Sequence, residues 1–214
     1  ENTVAAFAGA IELNADWVEL DVRPAGGGAL VGSHDPGLPD GRLLVETDRA
    51  DLPPEIPSLA DALAACGDLG VNVEIKNDPA EPGFDDGTGP FVADVLTVME
   101  QHLDPGRALV TSFHRPTLDL LCRIGGGWPA GLLFYLPQPE RNLAALAEQG
   151  FRAINPHHAL VDAELVVAAH RHGLRHDQHA VTQRCLVRRR IGAGRRQHDP
   201  SHHGCLAFTR RVAQ

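Results

Sequence analysis

The chain has 214 residues, is 43% hydrophobic and carries a formal net charge of −9; that is enough apolar material for one substantial core and sits near the lower size limit of an α/β barrel. No run approaches the roughly 18 apolar residues of a membrane helix, and no basic-then-apolar leader precedes Glu1, so the chain is expected to be soluble and cytoplasmic, although a start in mid-domain leaves the compartment open. Residues 1–174 hold 10 Arg and Lys against 26 Asp and Glu, whereas 175–214 hold 9 against 2; a basic tail with almost no periodicity is a poor match to a folded nucleic-acid surface, and no nucleic-acid partner is expected.

In chain order, Asn2 or Thr3 caps a helix to about Asn14, with Val4, Phe7 and Ile11 on its buried face. A strand follows from Trp17 to Val22. Gly26-Gly27-Gly28 then folds the chain back through Ala29, Leu30 and Val31 to His34-Asp35-Pro36, and a Pro- and Asp-rich loop runs to Pro57. Ser58 opens a helix to about Cys66, and residues Val71 to Lys76 form a second strand. After the polar loop Asn77 to Gly89 come a helix from Pro90 to His102, a strand from Ala108 to Phe113 and a helix from Pro116 to Cys122. A strand from Ala130 to Phe134, a helix from Pro139 to Gln149, a strand from Ala153 to Asn155 and a helix from Asp162 to His172 complete the series. Strict alternation implies a parallel sheet with helical crossovers. Cys66, Cys122, Cys185 and Cys205 lack CxxC spacing and are expected to be free thiols.

Side chains alternate along a strand, so Val18, Leu20 and Val22 face one way while Glu19 and Asp21 share the other face. Two acids side by side in an apolar strand cost several kcal/mol unless a cation or a shared proton compensates them. The second strand repeats the pattern, placing Glu74 and Lys76 opposite Val73 and Ile75. Three carboxylates from two strands are a donor set for a hard cation such as Mg²⁺ or Ca²⁺, with His34 near enough to move a proton. Other accounts stay open for each residue: Glu19 and Asp21 as surface acids, His34 as a turn residue, Lys76 as a salt-bridge partner or a substrate contact, and Glu1 as a cap or a site acid. His157 and His158 are read as loop histidines.

Glu1-Asn2-Thr3, the run Val18 to Val22, His34-Asp35-Pro36, Ile56 to Leu59 and Val73 to Lys76 keep the order and spacing of signatures that resemble the glycerophosphodiester phosphodiesterase family. The resemblance continues more loosely through Thr111 to Phe113 and Asn155 to His157, covering residues 1–173. It implies a TIM (β/α)8 barrel that hydrolyses small-molecule glycerophosphodiesters to glycerol 3-phosphate and an alcohol with a divalent cation. By that resemblance Glu19, Asp21 and Glu74 would be the metal carboxylates, His34 one of two acid/base histidines, and Lys76 a cation beside the phosphate. Glu1, as a site acid, is a candidate substrate contact apart from the resemblance.

The family's His-Arg-Gly motif belongs just before Glu1-Asn2-Thr3 and is not in this chain, so the barrel is expected to lack its first strand. Nothing after Gly173 matches the late strands. Residues 1–174 are therefore expected to form the barrel domain, and 175–214 a poorly ordered His- and Arg-rich tail of the kind a GC-rich gene gives when read out of frame, with the last two strands disrupted. Alternative readings are a phospholipase-type phosphodiesterase of the same barrel, or a non-catalytic remnant that holds metal and phosphate. The leaving alcohol and the oligomeric state are not legible in the residues.

Overall fold

A computed structural model describes residues 1–135, 142–176 and 207–208. Thr3 caps α1 (Val4–Glu12), its hydroxyl accepting from the Ala6 N–H at 3.2 Å. Phe7 and Ala10 are the buried residues of α1, while Val4 and Ile11 remain 47% and 43% exposed. The expected Val4/Phe7/Ile11 stripe is thus corrected: the helix is rolled toward its alanine side, with Ala10 in the core beside Phe7 and Ala6 partly buried against it.

The strand β1 (Trp17–Pro24) runs two residues further than expected and folds back on β2 (Leu30–Gly32), pairing antiparallel from Val22↔Gly32 to Pro24↔Leu30. Gly27 and Gly28, at φ +67° and +79°, make the turn in a backbone region that side chains disfavour. From β1 the sheet continues in parallel through β3 (Gly70–Ile75), β4 (Ala108–Ser112), β5 (Ala130–Phe134), β6 (Phe151–Pro156) and β7 (Arg175–His176). The helices α2 (Leu59–Ala65), α3 (Phe91–His102), α4 (Arg115–Ile124), α5 (Leu143–Glu148) and α6 (Ala163–Arg171) separate these strands, and β8 (Ala207–Phe208) pairs antiparallel with Trp17 and Val18.

Helix starts follow their capping chemistry. Ser58 accepts from the Asp61 N–H, Asn142 from the Ala145 N–H and Asp162 from the Leu165 N–H. The helix expected from Pro139 is described from Asn142 onward, and residues 136–141 lie outside the described residues. α4 is longer than its expected Pro116 to Cys122, because Arg115 opens its first turn and Gly125 ends it. The strand expected over Ala153 to Asn155 extends to Phe151–Pro156.

Six strands are parallel, each side by side with the next, as in a (β/α)8 barrel; among the described residues no pairing joins β7 to β1, so the sheet is open. Its parallel order reaches Arg175–His176, inside the stretch expected to be a tail; residues 177–206 and 209–214 of that stretch, with Cys185 and Cys205, lie outside the described residues. Among the described residues Cys66 and Cys122 form no disulfide. The core lies between sheet and helices, where Val18, Leu20, Val71, Val73 and Val110 meet Phe7, Leu59, Leu63, Met99 and Leu118. That apolar side consumes one face of each strand and leaves the other for polar groups.

Candidate active site

The register sets Asp21 beside Glu74, with Glu19 two residues earlier on the same face of β1. A carboxylate oxygen from each of Glu19, Asp21 and Glu74 lies within 4.8 Å of the others. Asp21 and Glu74 are buried, at 5% and 2% exposure. Burial, then the charge of Asp21, raises Glu74 to about 7, against the opposing pull of Lys76 and His34. Glu19 is raised well above the ordinary carboxylate range, first by burial and then by Asp21 and Glu74. Such a cluster resists full ionisation until positive charge is supplied.

Lys76 supplies part of it. Its ammonium donates to Glu74 Oε1 at 3.0 Å and stands 3.7 Å from Asp21 Oδ1. Burial works against its charge, but Glu74 and Asp21 outweigh burial and hold its pKa above the usual lysine value. This is the only lysine in a chain that otherwise uses arginine, and it meets the two carboxylates as a compact point charge rather than through a planar fork. That singular usage was a signal in the sequence.

His34 sits at the rim, its side chain 54% exposed, with Nδ1 2.8 Å from Asp35 Oδ1. Its charge acts on Glu74. The backbone of this turn is fixed from below by Arg23, the next inward residue of β1 after Asp21. Arg23 Nε donates to the His34 carbonyl at 2.7 Å, and one of its terminal nitrogens pairs with Glu81 at 2.8 Å. Glu1 is exposed, and its charge reaches Glu19. Two residues that the sequence reading did not assign to the site enter it: Arg23, and Asn2, whose amide donates to Asp21 Oδ2 at 2.8 Å and accepts from the Asp21 N–H at 2.9 Å.

Further round the sheet, the inward positions at the C-terminal strand ends are aromatic. Phe113 stacks on Tyr135 with centroids 4.3 Å apart, and Tyr135 meets His157 at 6.1 Å. Only 5% of the chain is Phe, Trp or Tyr, and Tyr135 is its single tyrosine. Burial, then Glu74, raises the Tyr135 phenol, so the aromatic wall feels the acids. His157 also caps a short turn, its Nδ1 accepting from the Ala159 N–H.

The donor chemistry fits a divalent cation. Oxygens of three carboxylates no more than 4.8 Å apart match the span allowed by Ca²⁺–oxygen distances of about 2.3–2.6 Å, and one ammonium does not balance three acids. A parallel α/β sheet that carries a cluster of three acids able to hold a cation on its polar face defines a barrel-type protein with a candidate metal site. The profile of the glycerophosphoryl diester phosphodiesterase family matches residues 1–178. The chain belongs to that family. A glycerophosphodiester phosphodiesterase of Caldanaerobacter subterraneus subsp. tengcongensis is 26% identical over 215 residues, covering 91% of this chain and 85% of the relative. Two solved structures share the fold. A Silicibacter pomeroyi protein assigned as a glycerophosphoryl diester phosphodiesterase superposes with a TM-score of 0.75 at 24% identity, over 85% of this chain and 78% of that one. An Oleispira antarctica phosphodiesterase, solved in complex with the product sn-glycerol-3-phosphate, gives 0.73 at 23% identity, over 85% and 79%.

Among the described residues no helix is long and apolar enough to cross a membrane.

Proposed function

We propose that the chain hydrolyses glycerophosphodiesters to glycerol 3-phosphate and an alcohol at the Glu19/Asp21/Glu74 cluster. The observation that carries this reading is the convergence of the three acids within 4.8 Å, in a chain whose family is named for that reaction. Glu19, Asp21 and Glu74 would hold a hard cation, Mg²⁺ or Ca²⁺. Such an ion supplies positive charge where the phosphoryl oxygens become more negative.

The chain's own groups account for the rest. Lys76, held protonated by its two acids, offers a second positive charge to a phosphate oxygen. Asp35 fixes His34 at Nδ1, leaving Nε2 to trade a proton with an oxygen of the diester or of the attacking water. Water adds to phosphorus, the bond to the alcohol oxygen breaks, and the proton lost by water ends on that alcohol. The Phe113–Tyr135 stack offers apolar surface to the alcohol half of the substrate. Arg23 holds the His34 turn without reaching the reacting atoms.

The test is to incubate the chain with glycerophosphocholine and other glycerophosphodiesters in Mg²⁺ or Ca²⁺ and to measure glycerol 3-phosphate. Cation-dependent product that Glu74→Gln lowers at least ~100-fold supports the reading. Absence of product, together with a Tm unmoved by either cation, sinks it. Cation binding without product would favour a binding remnant, and activity confined to phosphoinositide or sphingolipid head groups would favour the phospholipase-type alternative.

A further inference from the structure

We infer that Asn2 is a positioning residue for Asp21, fixing which carboxylate oxygen faces the acidic hollow; this rests on the cation-site reading above. Asn2 is buried, at 5% exposure, and adopts φ +55°. A left-handed backbone costs most side chains ~1–2 kcal/mol, and asparagine is among the few residues that tolerate it. Here the conformation turns the side chain inward while Thr3, its neighbour, takes the cap of α1.

The clasp is two-pointed. Asn2 Oδ1 accepts from the Asp21 N–H at 2.9 Å, and Asn2 Nδ2 donates to Asp21 Oδ2 at 2.8 Å. It occupies a gap in the sheet. Along this edge of β1, β8 pairs with Trp17 and Val18 and β2 with Val22 to Pro24, so among the described residues no strand covers Glu19 to Asp21 there. The Asn2 amide takes the place of a strand, with an acceptor for the backbone and a donor for the carboxylate. The Ser33 N–H donates to the Asp21 carbonyl at 3.1 Å from the β2 side, and a Cβ on Gly32 would stand 3.3 Å from the Asn2 carbonyl oxygen. Asp21 is thereby oriented: Oδ2 is tied to Asn2, and Oδ1 is the oxygen that stands 3.7 Å from the Lys76 ammonium. Asparagine carries the acceptor and the donor on two separate atoms at this reach; serine has both on a single oxygen, and glutamine is a methylene longer.

Outer groups that orient a metal-binding carboxylate are worth about 10–100-fold in metal affinity. The experiment measures Mn²⁺ affinity by calorimetry and cation-free Tm for the whole chain and for Asn2→Gly, Asn2→Ala and Glu74→Gln. Glycine at φ +55° loses the side chain without strain, whereas alanine loses the same bonds and adds strain. The expected result is a rise of about 10–100-fold in Kd, equal in the two Asn2 variants, although Asn2→Ala melts lower. Wild-type Kd in Asn2→Gly, a Kd that tracks Tm across the pair, or an Asn2→Gly chain that does not fold would overturn the positioning role and leave Asn2 structural. Should the unsubstituted chain fail to bind Mn²⁺, with Glu74→Gln indistinguishable from it, the cation-site reading itself falls and takes this inference with it.

Discussion

Lys76 Nζ donates to Glu74 Oε1 at 3.0 Å, across a site that holds three acids and this one lysine. Its position makes a split between binding and turnover measurable. Removing the ammonium takes a positive charge away from the acids, which strengthens their pull on a divalent cation, yet it removes a charge offered to the phosphate. Lys76→Met is expected to lower kcat/KM about 100-fold, in the range of losing one preorganised charge-stabilising donor, while the Kd for Mn²⁺ is unchanged or tighter. A Kd weakened in step with kcat/KM would show that Lys76 builds the acid cluster instead of acting on phosphate.

The raised Glu74 gives the cation-free protein a pH signature. Its carboxyl titrates near 7 when folded, chiefly through burial and the charge of Asp21, against an ordinary value of 4.5. Between those values the folded state holds a proton that the unfolded state has lost, so stability from this group is full below 4.5 and is lost as pH rises through 7. At ~1.4 kcal/mol per pKa unit the difference is on the order of 3 kcal/mol. Thermal melts in chelator should show Tm falling from pH 5 to pH 8 more steeply for the wild type than for Glu74→Gln. Saturating Ca²⁺ should flatten that difference, since the acids then ionise against the cation.

The acids were legible in the residues because a strand's period of two puts Glu19 with Asp21 and Glu74 with Lys76, whatever the fold around them. Adjacent parallel strands β1 and β3 then needed only the register to bring them together. Asn2 was not legible, because a polar residue before a helix has a good local role as a cap, and only the left-handed turn at φ +55° sends it elsewhere. Arg23 was hidden for a similar reason: nothing in the sequence says that its guanidinium reaches a carbonyl eleven residues away. Lys76 could pair or touch substrate, and a side chain of that length allows both. The strand Arg175–His176, paired with β6, is two residues long, too short for an apolar alternation to be read.

Tyr135, as the only tyrosine, is a built-in reporter of the acid cluster. Burial raises its phenol, and the negative charges of Glu74 and Asp21 raise it further, with Lys76 opposing them. A cation bound among the acids cancels the second cause and leaves the first. Tyrosinate absorbance is therefore expected to appear at lower pH with Ca²⁺ than with chelator, and Glu74→Gln should reduce the gap. A phenol titration indifferent to cation would place the bound ion away from the cluster.

Beneath the aromatic wall, Gly131 of β5 makes room for Asn155 of β6. A Cβ at residue 131 would lie 2.7 Å from Asn155 Oδ1, 3.1 Å from Thr111 Cγ2 and 3.3 Å from Ala153 Cβ. Asn155 is 3% exposed, and its Oδ1 has no hydrogen-bond partner among the described residues, so the amide is already costly where it stands. Thr111 is held by its hydroxyl to Asn72 Oδ1 at 3.0 Å and cannot easily retreat. Gly131→Ala is expected to cost ~1–3 kcal/mol, as overpacking of a dense interior does, or a Tm drop of roughly 2–4 °C per kcal/mol at this size. Adding Asn155→Ala should recover part of the loss, because it removes both the nearest obstacle and the unpaired acceptor; neighbours in contact are not additive. A double variant that melts no higher than Gly131→Ala would move the conflict to Thr111 and Ala153, whose contacts the second substitution leaves in place.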